Sequence, residues 1–258
     1  VGVMETLRHE IEEMGGTFHF RSKVTDLVLE KGQLKEIEIN GEQRIPAQVC
    51  VLAVGHSARD SFAMFEKKGI YMEPKSFAVG VRMEHPQSMI NLALYGEEEN
   101  EKLGAAAYKV THTCENGRGV YSFCMCPGGY VVNASSEPEM LAVNGMSYFA
   151  RDKENANSAL LVSIQPEDFG TDDVLGGVEL QRKIEHSAYV EGGENYNAPV
   201  QKVGDFLKSQ KTLELGDIKP SYKPAVTPSD FKNIFPDYMY EALQEGIKTF
   251  DKQIKGFA

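Results

Sequence analysis

Three short strings hold most of the residues in this 258-residue sequence whose types and spacing suit chemistry. The first is Val51-Leu52-Ala53-Val54-Gly55-His56-Ser57-Ala58-Arg59-Asp60. An apolar run closed by a small residue and a glycine lets a flat or charged ligand reach the main chain at a strand end. A helix opening after Ser57 would add oriented N–H donors and a partial positive charge, which suit an anion or a polarised ring. The same letters also describe an ordinary strand-to-helix turn with Ser57 and Asp60 as its capping box, so local pattern leaves both readings open. His56 and Arg59 are the polar side chains of this turn.

The second string is Phe123-Cys124-Met125-Cys126-Pro127-Gly128-Gly129. Three readings compete for its thiols: a redox-active thiol beside a cofactor, half of a metal site, or small buried residues in a β-turn. Metal ranks lowest, because a zinc site takes about four ligands and the sequence shows no second Cys pair and no His pair at ligand spacing. No metal is therefore expected. The third string is Val81-Arg82-Met83-Glu84-His85-Pro86. If it is a strand, Arg82 and Glu84 share one face and Val81 and Met83 the other, so the polar face either lines a pocket or is simply solvated. Asn144-Gly145-Met146-Ser147 and Arg151 read as a loop with polar side chains. The sequence has no Gly-x-Ser-x-Gly, no His-Glu-x-x-His, no Walker loop and no Gly-x-Gly-x-x-Gly.

The elements that must position these strings follow from periodicity. Val3, Leu7, Ile11 and Met14 form one helical stripe, stopped by Gly15-Gly16. From Thr17 the period changes to two, with turns at Lys31-Gly32 and Asn40-Gly41, which predicts a β-meander. Val49 to Val54 is an unbroken apolar run and predicts a buried parallel strand. Phe77 to Glu84 reads as a strand, with a helix from Pro86 to about Tyr95. A hairpin around Glu115-Asn116-Gly117 is expected to pair 105–114 with 119–125. Tyr130 to Ala134, Met140 to Val143 and Ala159 to Ile164 continue the β-rich stretch, and Leu180, Ile184 and Val190 suggest a helix. Residues 198–228 read as a long connection. Met239, Leu243, Ile247, Phe250, Ile254 and Phe257 predict a strongly amphipathic closing helix. The expected class is mixed α+β: a meander with a buried parallel strand over residues 1–75, joined to a β-rich unit with helices over 76–258.

Composition narrows the function classes. Lys+Arg number 27 against 38 Asp+Glu, a net charge of −11, which argues against a nucleic-acid surface and an anionic membrane. No apolar run is long enough to span a bilayer. Four unevenly placed cysteines do not make a secreted disulfide frame, so a reducing, cytoplasmic location is expected. The first residue is Val1, and no signal segment follows it, so the chain reads as an internal piece of a longer protein.

Taken together, the opening helix, Gly15-Gly16, Phe18-His19-Phe20, Val24, the meander and the 51–60 string resemble the middle of a flavoprotein with two dinucleotide-binding domains. The strings 75–86, 123–129, 144–147 and Ala156-Asn157-Ser158-Ala159 extend that resemblance to bacterial FAD-dependent dehydrogenases over nearly the whole chain. The resemblance implies an oxidoreductase passing a hydride between a small organic substrate and FAD, with NAD(P)H as a possible electron partner. It implies that residues 1–75 are the remainder of an FAD-binding domain, and that 76–258 form a substrate domain ending in a return helix. Val24, Ala53, Gly55, His56 and Ser57 would lie at the cofactor. His56, Arg82, His85, Cys124 and Cys126 are the catalytic candidates, and Arg82, Glu84, Asn144 and Ser147 the substrate-pocket candidates. The family's N-terminal glycine-rich loop and C-terminal flavin segment have no counterpart within Val1 to Ala258, so the piece alone is expected to be inactive. The alternative expectation is a non-catalytic binding module that holds no flavin by itself.

Overall fold

The computed structural model describes residues 2–258, which divide into a smaller unit up to Met72 and a larger one from Glu73 to Ala258. The class is mixed α+β, as the periodicities require.

The smaller unit contains helix α1 (Gly2–Glu13), strands β1 (Val24–Glu30), β2 (Gln33–Ile39) and β3 (Gln43–Pro46), and helix α2 (Arg59–Lys67). The strands form an antiparallel meander in the order β1-β2-β3. Both tight turns have two consecutive residues of positive φ, Lys31 (50°) with Gly32 (77°) and Asn40 (55°) with Gly41 (77°). That backbone matches the right-handed twist of the paired strands, which is why Lys-Gly and Asn-Gly occupy it. Leu27, Ile39 and Phe65 are its buried hydrophobic residues. Lys68 Nζ donates to Asp26 Oδ2 at 2.7 Å and ties the end of α2 to β1.

Two expectations fail in this unit. Residues 49–54 form no strand, and Val49 and Val51 are 83% and 84% exposed. An apolar run becomes a buried strand only when neighbours supply ladders on both sides. Among the described residues of this unit the strands are all spent in the meander, which ends with β3 at Pro46. The helix also starts one residue later than a Ser57 cap requires: Ala58 is the N-cap of α2, and its side chain makes no capping hydrogen bond. Asp60 instead accepts from the Ser61 N–H at 2.9 Å and pairs with Lys23.

The larger unit contains β4 (Phe77–Pro86), α3 (Gln87–Tyr95), β5 (Thr111–Thr113), β6 (Gly119–Asn133), β7 (Val143–Ser147), β8 (Asn155–Ile164), α4 (Gly176–Glu191), β9 (Ala198–Val200), α5 (Val203–Leu207), β10 (Val226–Pro228) and α6 (Asp237–Asp251). Its main sheet is antiparallel in the order β4-β8-β6-β5, with β7 on the far part of β6. β9 and β10 make a separate parallel pair. Helix α6 lies against β5, β6 and β8. Its Met239, Leu243, Ile247 and Phe250 are buried, each contributing roughly 1.5–3 kcal/mol. Ile254 and Phe257 continue the apolar stripe beyond the helix end and stay buried.

Two further segments differ from expectation. Residues 105–110 carry no strand, and at Ala106 side-chain amides take the place of a ladder: Gln87 Nε2 donates to the Ala106 carbonyl at 3.0 Å and the Ala106 N–H donates to Asn91 Oδ1 at 2.9 Å. Residues 143–147, expected as a loop at 144–147, form β7, whose register with β6 pairs Gly129 with Ser147 and Val132 with Asn144. No described helix is long and apolar enough to cross a membrane.

Candidate functional site

The site in the larger unit begins with the alternation of β4. Met83 and His85 are buried and Val81 packs on the same core, so Arg82 and Glu84 emerge on the opposite face. β4 pairs with β8 without a break from Phe77↔Ile164 to Pro86↔Asn155, which fixes Arg82 beside the polar end of β8. Arg82 Nε donates to Asn157 Oδ1 at 2.7 Å. Its Nη2 donates to the Cys124 carbonyl at 2.7 Å and to Cys126 Sγ at 3.2 Å.

An irregular strand makes these contacts available. The β6–β8 register shifts between Phe123 and Cys126 and again between Cys126 and Gly129, and Cys124 has φ +45°. Such a bulge re-aims one peptide group out of the ladder, and here the Cys124 carbonyl is the group that meets the guanidinium. β7 closes the cluster from the other side. A Cβ on Gly145 would collide with Arg82 Nη2 and Asn157 Oδ1, so only glycine admits the guanidinium at this distance.

The electrostatics are unusual for an arginine. Arg82 is half-buried, its three partners are an amide oxygen, a carbonyl oxygen and a thiol, and no carboxylate pairs with it among the described residues. Burial pulls its pKa below the ordinary value, opposed by the neighbouring Cys126 and Cys124. Asn157, fully buried, offers Oδ1 to Arg82 while its Nδ2 has no hydrogen-bond partner. A desolvated cation and an unused buried amide donor are costly to keep, which sets this cluster apart from an ordinary solvated strand face.

The other candidates are distributed around this cluster or away from it. The Glu84 carboxylate accepts from Asn155 Nδ2 at 3.1 Å, from the Ser221 N–H at 3.1 Å and from Ser221 Oγ, so it anchors the 219–222 segment. Ser147 Oγ donates to the Pro127 carbonyl at 2.7 Å and holds β7 against the bulge. Asn144 is exposed and accepts from its neighbour's N–H, Gly145, at 2.8 Å. Both cysteines are free thiols; Cys124 is exposed, which removes the buried-packing reading for it. His85 lies on the opposite face of β4, its Nε2 2.8 Å from the Phe257 carbonyl and its ring 4.6 Å from that of Phe257. Burial lowers its pKa, so it stays neutral in the core and is not brought to Arg82.

In the smaller unit Val24 opens β1 opposite Ile39. Ala53, Gly55, His56 and Ser57 are exposed, Gly55 has φ +72°, and His56 Nε2 is 3.4 Å from Ser57 Oγ. The groove of about 420 Å³ walled by Asp26, Glu38 and Lys68 contains none of these residues. Asn155, Asn157 and Ser221 were not singled out from the sequence as site residues. Their signal was present in part, since Asn155-Ala156-Asn157-Ser158 sets polar residues at the start of what becomes a central strand.

Residues 76–258 match the family model described as FAD-dependent protein, C-terminal domain-like. The chain is 49% identical over 259 residues to an uncharacterized protein of Clostridium beijerinckii, a match covering 100% of this chain and 48% of that protein. It thus spans about half the length of that relative. A polar cluster built on β4, β6, β7 and β8 therefore lies wholly within the matched region, and the chain belongs to the FAD-dependent protein family through this C-terminal domain.

Proposed function

We propose that this chain is the substrate-domain portion of an FAD-dependent oxidoreductase with part of the flavin domain attached, and that the whole protein transfers a hydride between a small organic substrate and FAD. The observation that carries this reading is Arg82: a half-buried cation with no carboxylate partner among the described residues, beside the unused Nδ2 of buried Asn157. Arg82 binds the substrate's carboxylate or carbonyl oxygen, or the negative charge that develops in its place. Asn157 orients the guanidinium through its Oδ1, and Gly145 leaves the room that the guanidinium occupies. Cys126 lies within reach of the same guanidinium, while Glu84 and Ser221 brace the wall behind it.

The residues of the smaller unit fit a flavin in part. The main chain from 51 to 57 is exposed, and a Cβ at Gly55 would meet nothing within 4 Å, so a flat ring can approach edge-on at Ala53, Gly55, His56 and Ser57. The sequence holds no glycine-rich loop for a pyrophosphate. When bound, FAD supplies the two-electron acceptor, and the protein supplies orientation and electrostatics. NAD(P)H as the electron partner and a cytoplasmic location complete the proposal.

The test uses the whole protein rather than the piece. Purified and incubated with FAD, it is expected to retain a flavin spectrum, and small carboxylates are expected to perturb that spectrum. R82M should weaken the carboxylate effect by roughly 10- to 100-fold, the worth of a charge-assisted hydrogen bond. A colourless protein that takes up no FAD would overturn the flavin reading and leave a binding module. Equal carboxylate affinity in R82M would overturn the role of Arg82.

A further inference from the structure

We propose that His112, Cys114 and Glu245 form a binding site for one transition-metal dication of the zinc class. The three side chains come from two elements that meet at the edge of the main sheet. His112 is the middle residue of β5 and Cys114 follows that strand, two residues on, so an extended backbone sends both side chains to one face. Helix α6 packs on that face and brings Glu245 to them. His112 Nε2 and Glu245 Oε1 are 2.7 Å apart although separated by 133 residues in sequence. The nearest nitrogen, sulfur and oxygen of the three residues all lie within 4.8 Å of one another.

An ion pair alone explains only part of this arrangement. It accounts for His112 and Glu245, but not for a thiol placed within 4.8 Å of both. Cys114 is buried, its Sγ 3.8 Å from the Ala242 carbonyl one turn earlier on α6, whereas His112 and Glu245 are half-buried. One ligand is thus fixed in the core and two reach toward solvent, which leaves an entry path and room for a water as a fourth ligand. The Glu115 N–H donates to Glu245 Oε1 at 3.1 Å and orients the carboxylate, as the outer partners of metal ligands do.

The donor set selects the ion. A thiolate, an imidazole and a carboxylate suit Zn²⁺ or Co²⁺, while the oxygen-seeking Mg²⁺ and Ca²⁺ do not take a thiolate. Charge also balances: a thiolate, a carboxylate and a neutral imidazole around a dication sum to zero, with the Cys114 proton released to solvent. Spacing in the sequence ranked metal lowest because it offers no second Cys pair and no His pair at ligand spacing. The third ligand here is a helix carboxylate supplied by the fold.

The test is a Co²⁺ titration of the full chain after dialysis against a chelator. Saturation at one equivalent with a thiolate-to-cobalt charge-transfer band is expected. C114S should abolish that band, and E245Q should weaken binding on the order of 100-fold, at or above what a ligand's outer hydrogen-bond partners are worth. Because Cys114 is buried, H112Q serves as a second variant on an edge strand, its fold checked by circular dichroism. It keeps a hydrogen bond to Glu245, so a merely structural pair would tolerate it, whereas a metal site should lose affinity to a similar degree. Saturation without the band, or folded variants that bind as tightly as the parent, would overturn the proposal. The readout is independent of flavin.

Discussion

Residues 49–57 and the Arg82 cluster invert the expectation that a strong local pattern marks the better-built site. The 49–57 segment combines an unbroken apolar run, a terminal glycine and a helix start, yet it forms no ladder and lies exposed. Arg82 reads as one charged residue in an alternating strand, yet three other strands, β6, β7 and β8, converge on it with partners at 2.7, 2.7 and 3.2 Å. Apolar patterning reports which residues gain from burial. It does not report whether a partner strand exists to bury them.

The comparison breaks most directly at its two glycines. G145A forces a Cβ into the Arg82 guanidinium and Asn157 and should cost about 3 kcal/mol, the upper range for overpacking. G55A meets nothing within 4 Å, so only its φ of +72° opposes a side chain, and a loss of about 1 kcal/mol is expected. Denaturant midpoints of the two variants measure both. Equal losses would show that the Arg82 cluster is no more tightly built than the exposed turn.

Ion pairs sharpen the same contrast at smaller magnitude. In the larger unit Arg118 grips Asp168 with two parallel hydrogen bonds, 2.5 and 2.7 Å, and Asp168 is only 10% exposed. D168N should cost about 2 kcal/mol. The Arg118 guanidinium holds the Asp168 carboxyl below its ordinary value of 3.8. A carboxyl whose pKa is lowered by folding contributes stability above its unfolded value and loses it as pH falls through the folded one. Unfolding curves of the parent should therefore weaken below about pH 4, a loss that D168N reduces. In the smaller unit the Lys23–Asp60 pair is more than half exposed, and D60N should change stability by at most about 0.5 kcal/mol.

What the chain order made legible were features whose causes lie within a few residues. Lys31-Gly32 and Asn40-Gly41 demand positive φ and form the expected turns. Pro86 precedes a helix that ends at Tyr95, and the Met239–Phe250 stripe lies on the core as its spacing requires. The alternation of Val81 and Met83 against Arg82 and Glu84 is also local, so one face of the site was readable in advance.

The rest was decided by partners far along the chain. Side-chain amides on α3 took the main-chain groups of Ala106, and pairing with β6 turned an apparent loop into β7. Asn157 reaches Arg82 across 75 residues, and Glu245 reaches His112 across 133. Sequence alone determined periods and turns, because backbone φ and side-chain alternation are set between neighbours. Only the tertiary structure decided which polar groups share a desolvated space, because that depends on strand order and helix docking.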